Sequence, residues 1–135
     1  MNNITVAIAA DHAGYGLKEE LKKYVSDLGY DILDCGTNSQ ESVDYPDFGK
    51  AVADSIIGGR AERGVLVCGT GIGISISANR YQGIRAAVCH DVTTARYARE
   101  HNDANVIALG ARIIGTSVAK DCLNVFLEEN DKHYM

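Results

Sequence analysis

Val65-Leu66-Val67-Cys68-Gly69-Thr70-Gly71-Ile72-Gly73 is the stretch on which the reading of this chain turns. Four apolar residues run into a turn with three glycines in five positions, and the segment from Ile72 to Asn79 that follows reads as a short helix. An apolar strand feeding a glycine turn that opens a helix is the repeating unit of an α/β protein. Working outward, Ile4 to Ala10 is a second apolar run, followed by Leu17, Leu21, Val25 and Leu28 at helical spacing. Tyr30 to Cys35 alternates apolar and charged positions, as a strand exposed on one side does. Ile84 to Cys89 and Val106 to Leu109 are more continuously apolar, so with Val65 to Cys68 they are expected to be central parallel strands, although Arg85 interrupts the first of them. Further helices are expected over Phe48 to Ile57, Val92 to His101 and Val118 to Leu127, with Asp91 and Thr116 or Ser117 as N-caps. The expected fold is α/β. Residues 1–135 are expected to form one three-layer αβα sandwich around a five-stranded parallel, doubly wound sheet of Rossmann or flavodoxin-like type.

Composition narrows the function. A chain of 135 residues is the size of one compact domain, and a formal net charge of −5 leaves no basic footprint for nucleic acid. No apolar run approaches the roughly 20 residues of a membrane span, and the first residues lead into a strand pattern instead of a signal peptide. A soluble, cytoplasmic protein is expected. Cys35, Cys68, Cys89 and Cys122 lie far apart, without zinc-type spacing, so each is expected to be a free thiol.

In an open parallel sheet, ligands bind beyond the carboxyl ends of the strands where strand order reverses. The loops after the first and third strands are therefore the first candidates: Ala10-Asp11-His12-Ala13-Gly14, and Cys68 through Gly73. In the second, glycines let the backbone approach a ligand, and the helix that follows turns its N–H groups and positive dipole end to the same place. An anion or a developing oxyanion suits such a turn. The GxGxG spacing, lacking a Gly-Lys-Ser/Thr ending, fits a nucleotide loop poorly. Cys68 stands at the end of a strand and immediately before that electropositive turn, where a reactive thiolate is easiest to maintain. The plain alternative, a small buried apolar residue, applies to all four cysteines; Cys35 and Cys89 also end strands but have no glycine loop. Asp11 and His12 make an acid–imidazole pair able to move protons or hold a substrate oxygen and phosphate, while Asp11 also reads as a cap for the helix beginning near Gly14. His101 and Asn102 close a helix, which alone reads as a cation on the dipole's negative end and an end signal. Arg112, just past the fifth strand, is a phosphate ligand or a solvated side chain. His90 and His133 have no motif around them.

Taken together, Asp11-His12-Ala13-Gly14, Asp44-Tyr45-Pro46-Asp47-Phe48, the run from Cys68 to Asn79 and the run from Arg99 to Gly115 resemble the ribose-5-phosphate isomerase B family, which includes galactose- and allose-6-phosphate isomerases. The resemblance covers nearly the whole chain. It implies reversible conversion of an aldose phosphate, typically ribose 5-phosphate, into the 2-ketose phosphate, with no metal and no organic cofactor. By resemblance Cys68 is the catalytic base, His101 the acid that helps open the furanose ring, and Asp11, His12, Tyr45, Asn102 and Arg112 bind substrate. Relatives that lack this cysteine carry a glutamate four residues later, where this chain has Ile72. An enediolate needs its oxygens stabilised, and the backbone from Gly69 through Gly71, Ile72 and Gly73, with the Thr70 hydroxyl, is the expected oxyanion hole. Relatives extend further and carry an Arg-His pair followed by another Arg near the C-terminus. Here the sequence ends Glu128-Glu129-Asn130-Asp131-Lys132-His133-Tyr134-Met135, where Lys132 and His133 read as a shortened echo of that motif, with His12 and Arg112 as the remaining phosphate candidates.

Topology adds one expectation. A helix-to-strand connection lies at the opposite edge of a parallel sheet from the strand-to-helix loops, so His101 is expected to reach Cys68 of a neighbouring subunit across an isologous dimer interface. The family's usual homodimer fits this reading, with a tetramer left open. Three other readings stand beside the pentose isomerase: a hexose 6-phosphate isomerase, a non-catalytic flavodoxin-like nucleotide-binding module, and Cys68 as a thiol nucleophile or redox sensor.

Overall fold

The computed structural model describes residues 4–36 and 45–128, with the side chains of 45–47 excepted. Along the chain run β1 (Thr5–Ala10), α1 (Tyr15–Asp27), β2 (Asp31–Asp34), α2 (Tyr45–Ile57), β3 (Arg63–Cys68), α3 (Ile72–Asn79), β4 (Ala86–Val88), α4 (Val92–Glu100), β5 (Val106–Gly110) and α5 (Thr116–Glu128). The strands form one parallel sheet in the order β2-β1-β3-β5-β4. After β1 the chain moves outward to β2, and after β3 it moves the other way, so the switch point lies between β1 and β3.

Strand alternation builds two cores. Val6, Ile8, Val65, Val67, Ile107 and Leu109 face a layer containing Leu17, Leu21, Ala95, Ala98, Leu123 and Phe126 of α1, α4 and α5. Ala7, Ala9, Leu66, Val106 and Ala108 face the thinner layer of α2 and α3, and Cys68 points to that side. The thinner core uses small residues, which brings α2 and α3 close to the sheet. No helix among the described residues is long and apolar enough to cross a membrane.

The expected αβα architecture is present, with one correction to strand order. Ile84 to Cys89 was expected to be a central strand; β4 is instead a three-residue edge strand, with Ala86 and Ala87 half-buried and Val88 exposed. The apolar run misleads because Ile84 and Cys89 lie outside the strand and enter opposite cores. The central places go to β1, β3 and β5. Helix ends shift modestly. Asp91 caps α4, accepting from the Thr94 amide at 2.7 Å, whereas Thr116 and Ser117 are already within α5 and α2 begins at Tyr45.

Candidate active site

β3 delivers Cys68 to the carboxyl edge of the sheet, paired in register with Gly110 of β5. The residue is 2% exposed, and Sγ accepts a hydrogen bond from the Gly71 amide at 3.1 Å. The turn closes tightly. Gly71 sits at φ 83°, where L side chains are strained, and acts as N-cap of α3. Thr70 is exposed, and its Oγ1 accepts from the Ile72 amide at 3.1 Å, which leaves the hydroxyl proton able to donate outward. The amides of Gly71 and Ile72 are thus engaged within the turn, and those of Gly69, Thr70 and Gly73 are the candidate oxyanion donors.

Neighbouring strand ends frame this turn. Asp11 follows the Ala10–Val67 pair, and its amide donates to the Val67 carbonyl at 3.2 Å. Its Oδ1 accepts from the Gly14 amide at 3.0 Å, so Asp11 ties the turn before α1, whose N-cap Gly14 makes no side-chain cap. Its other oxygen, Oδ2, and His12 Nδ1 are buried without a hydrogen-bond partner among the described residues. Leaving a buried polar atom unpaired costs about 1–3 kcal/mol, and such atoms concentrate where a ligand supplies the missing bond. On the β5 side, the Arg112 amide donates to the Gly69 carbonyl at 3.0 Å, and its Nη1 lies 3.4 Å from where a Gly69 Cβ would stand. The guanidinium therefore lies alongside the glycine turn. A Cβ on Gly110 would stand 2.7 Å from the Thr70 carbonyl carbon, so only glycine lets β5 support the turn this closely.

The edge thus gathers Cys68, Gly69, Thr70, Gly71, Ile72, Gly73, Asp11, His12 and Arg112. It does not gather His101 and Asn102. Both are exposed on the connection between α4 and β5, at the amino edge of the same sheet. The side chain of Tyr45 and residues Lys132 and His133 lie outside the described residues. One residue at the edge went unread in the sequence: His90 Nε2 accepts the Gly110 amide at 3.2 Å and so holds the strand end that pairs with Cys68. Its position just past β4, at the carboxyl edge like the other site residues, was the available signal.

Charge and burial separate the remaining groups. Burial pushes the Cys89 and Cys122 thiols up to about 11, which keeps them protonated at neutral pH and out of thiolate chemistry. Beside α1, the fully buried Lys18 and the half-buried Lys22 both reach Asp34, at 3.0 and 2.7 Å. Burial raises the Asp34 pKa, but hydrogen bonds from Lys22, the Gly36 amide and Lys18 together outweigh it and hold the carboxyl below its ordinary value.

A glycine turn with a buried thiol at its head, two buried polar atoms on the neighbouring strand end without a partner among the described residues, and an arginine beside it suits proton transfer on an anionic substrate. Relatives agree with that chemistry. Ribose-5-phosphate isomerase B of Escherichia coli (strain K12) is 43% identical over 122 residues, 90% of this chain and 83% of that protein. The galactose-6-phosphate isomerase subunit LacB of Clostridium acetobutylicum is 44% identical over 129 residues, 96% of this chain and 75% of that protein. The solved structure of Clostridium thermocellum ribose-5-phosphate isomerase B superposes with a TM-score of 0.94 at 47% identity, covering 96% of this chain and 87% of that one. The ribose/galactose isomerase pattern runs through residues 6–133, and the chain belongs to the ribose/galactose isomerase family.

Proposed function

We propose that this protein interconverts ribose 5-phosphate and ribulose 5-phosphate, with Cys68 as the base. The observation that carries the reading is the Cys68 sulfur at the head of a glycine turn, hydrogen-bonded by the Gly71 amide, with the unpaired Asp11 Oδ2 and His12 Nδ1 on the neighbouring strand end. With the open-chain aldose bound, Cys68 Sγ takes the proton from C2, the C2 electrons form the C1–C2 double bond, and the carbonyl electrons move onto O1 as the enediolate oxygen. The resulting enediol or enediolate is stabilised by the Thr70 hydroxyl and the amides of Gly69, Thr70 and Gly73. The O2 proton passes to O1 and Sγ–H returns its proton to C1, which leaves the 2-ketose. Asp11 accepts from a sugar hydroxyl, and His12 and Arg112 take the phosphate.

Ring opening is a separate proton transfer, to the ring oxygen, and is assigned to His101 with Asn102 binding beside it. Within one chain both residues stand at the far edge of the sheet from Cys68. The proposed working unit is therefore an isologous homodimer in which the partner subunit's His101 completes each Cys68 site. Tyr45, which opens α2 at the carboxyl edge, is placed with the substrate-binding group.

An aldose–ketose assay on ribose 5-phosphate, galactose 6-phosphate and allose 6-phosphate tests the reading, with Cys68→Ala in parallel. The expected result is turnover of the pentose, lost in Cys68→Ala. Preference for a hexose phosphate transfers the same mechanism to the galactose-type reading supported by the LacB likeness. Turnover of no sugar phosphate by folded protein overturns the proposal.

A further inference from the structure

The turn carrying His101 and Asn102 is built more firmly than an exposed helix end requires. Asp103 has φ 50°, the one positive φ outside glycine among the described residues. Glycine is the commonest residue at such a helix end, and among side chains aspartate and asparagine tolerate the position best. Here the aspartate brings a carboxylate gripped from both sides. Oδ1 accepts from Arg99 Nη1 and Oδ2 from Arg85 Nη2, each at 3.2 Å, while the Asp103 carbonyl accepts from Arg85 Nε at 2.7 Å.

The grip is anchored in the body of the fold. Arg99 is 1% exposed, donates to the Ala104 carbonyl at 2.6 Å and lies over the Phe126 ring. The Arg85 amide donates to Asn105 Oδ1 at 2.9 Å, tying the second arginine to the start of β5. Just before the clasp, the His101 ring stacks on Tyr97 one turn back, with centroids 4.7 Å apart and planes 20° from parallel. A strained backbone persists only where its surroundings over-determine it, and such places cluster at functional sites.

We infer that Asp103 is a positioning residue: with Arg85 and Arg99 it clasps the α4–β5 turn so that His101 and Asn102 are held in the direction they need before a partner arrives. The inference rests on the reading that His101 assists ring opening in a partner's site. Preorganisation matters here because the histidine stands on an exposed turn, where the Tyr97 ring stacked against it and the clasp beside it set its direction.

Two assays separate positioning from plain structure. Turnover of ribose 5-phosphate requires the ring to open, whereas exchange of the C1 proton of ribulose 5-phosphate with deuterated solvent starts from an open chain and reads the Cys68 step alone. Asp103→Gly keeps the positive φ and removes the clasp. It is expected to lower kcat on ribose 5-phosphate about tenfold or more while exchange stays within about twofold, since a misplacement near 1 Å can cost about a hundredfold. Asp103→Asn, which keeps an acceptor, is expected to restore most of the loss. Arg85→Ala, which removes only the exposed arm, is expected to give a smaller loss in the same direction and serves if Asp103→Gly melts early. Equal loss in both assays, or none in either from both Asp103→Gly and Arg85→Ala, overturns the inference. His101→Ala run alongside distinguishes the two claims: selective loss there without loss in the clasp variants overturns only the clasp, whereas full ring-sugar turnover by His101→Ala overturns the reading beneath it as well.

Discussion

The two edges of the sheet are made in opposite ways. At the carboxyl edge, Cys68 and Asp11 are buried and held by backbone amides, in a turn that glycine alone lets close. At the amino edge, His101 and Asn102 are exposed, on a turn held by ion pairs to Asp103. One edge is a buried cradle and the other a projection. From Val106 to Gly110 the central strand separates them by about 13 Å at roughly 3.3 Å per residue. The difference teaches that burial and reach are divided between the two ends of one fold, which is why the proposed site draws on two copies.

The largest expected effect breaks the cradle. Cys68→Ala is expected to lower kcat on ribose 5-phosphate about 1,000-fold and to abolish C1 proton exchange as well, within the range of a lost general base. His101→Ala is expected to cost about a hundredfold on the ring sugar and to spare exchange, which sharpens the contrast between the two edges. Gly110→Ala comes next. Its Cβ would push the Thr70 backbone away, so thermal unfolding is expected to show a loss of about 1–3 kcal/mol together with reduced kcat. Gly71→Ala meets both φ 83° and the Leu109 carbonyl carbon at 3.1 Å and is expected to lose about 1–2 kcal/mol.

The smallest effect is a matter of pH. Asp34 has a depressed pKa, so its stabilisation is fully present above the ordinary value of 3.8 and is lost as pH falls through the lower, folded value. Urea unfolding in acid is expected to show a steeper loss for the parent than for Asp34→Asn. Equal slopes would remove the Lys18–Asp34–Lys22 cluster from the account.

Much of this was legible in the chain. Alternating apolar runs and helical spacings point to five strands and five helices, and the strand-end rule selects the loops at Asp11 and Cys68 before any coordinates. What failed was β4. Its apolar run counts Ile84 and Cys89, yet each serves a different core, and periodicity cannot tell a buried flank from a buried strand. His90 and Asp103 were missed for a related reason. A histidine that accepts one strand-end amide and an aspartate in a left-handed turn between two arginines are defined by tertiary neighbours far apart in sequence. The unpaired atoms of Asp11 and His12 likewise exist only once the fold buries them.

The claim that two edges from two copies make one site is tested most directly by mixing. Cys68→Ala and His101→Ala proteins, each crippled alone on ribose 5-phosphate, are combined under conditions where subunit exchange is verified with differently tagged chains. The account predicts recovered activity, because each hybrid pairs an intact Cys68 edge with an intact His101 edge at one of its two sites. No recovery despite complete exchange would contradict it.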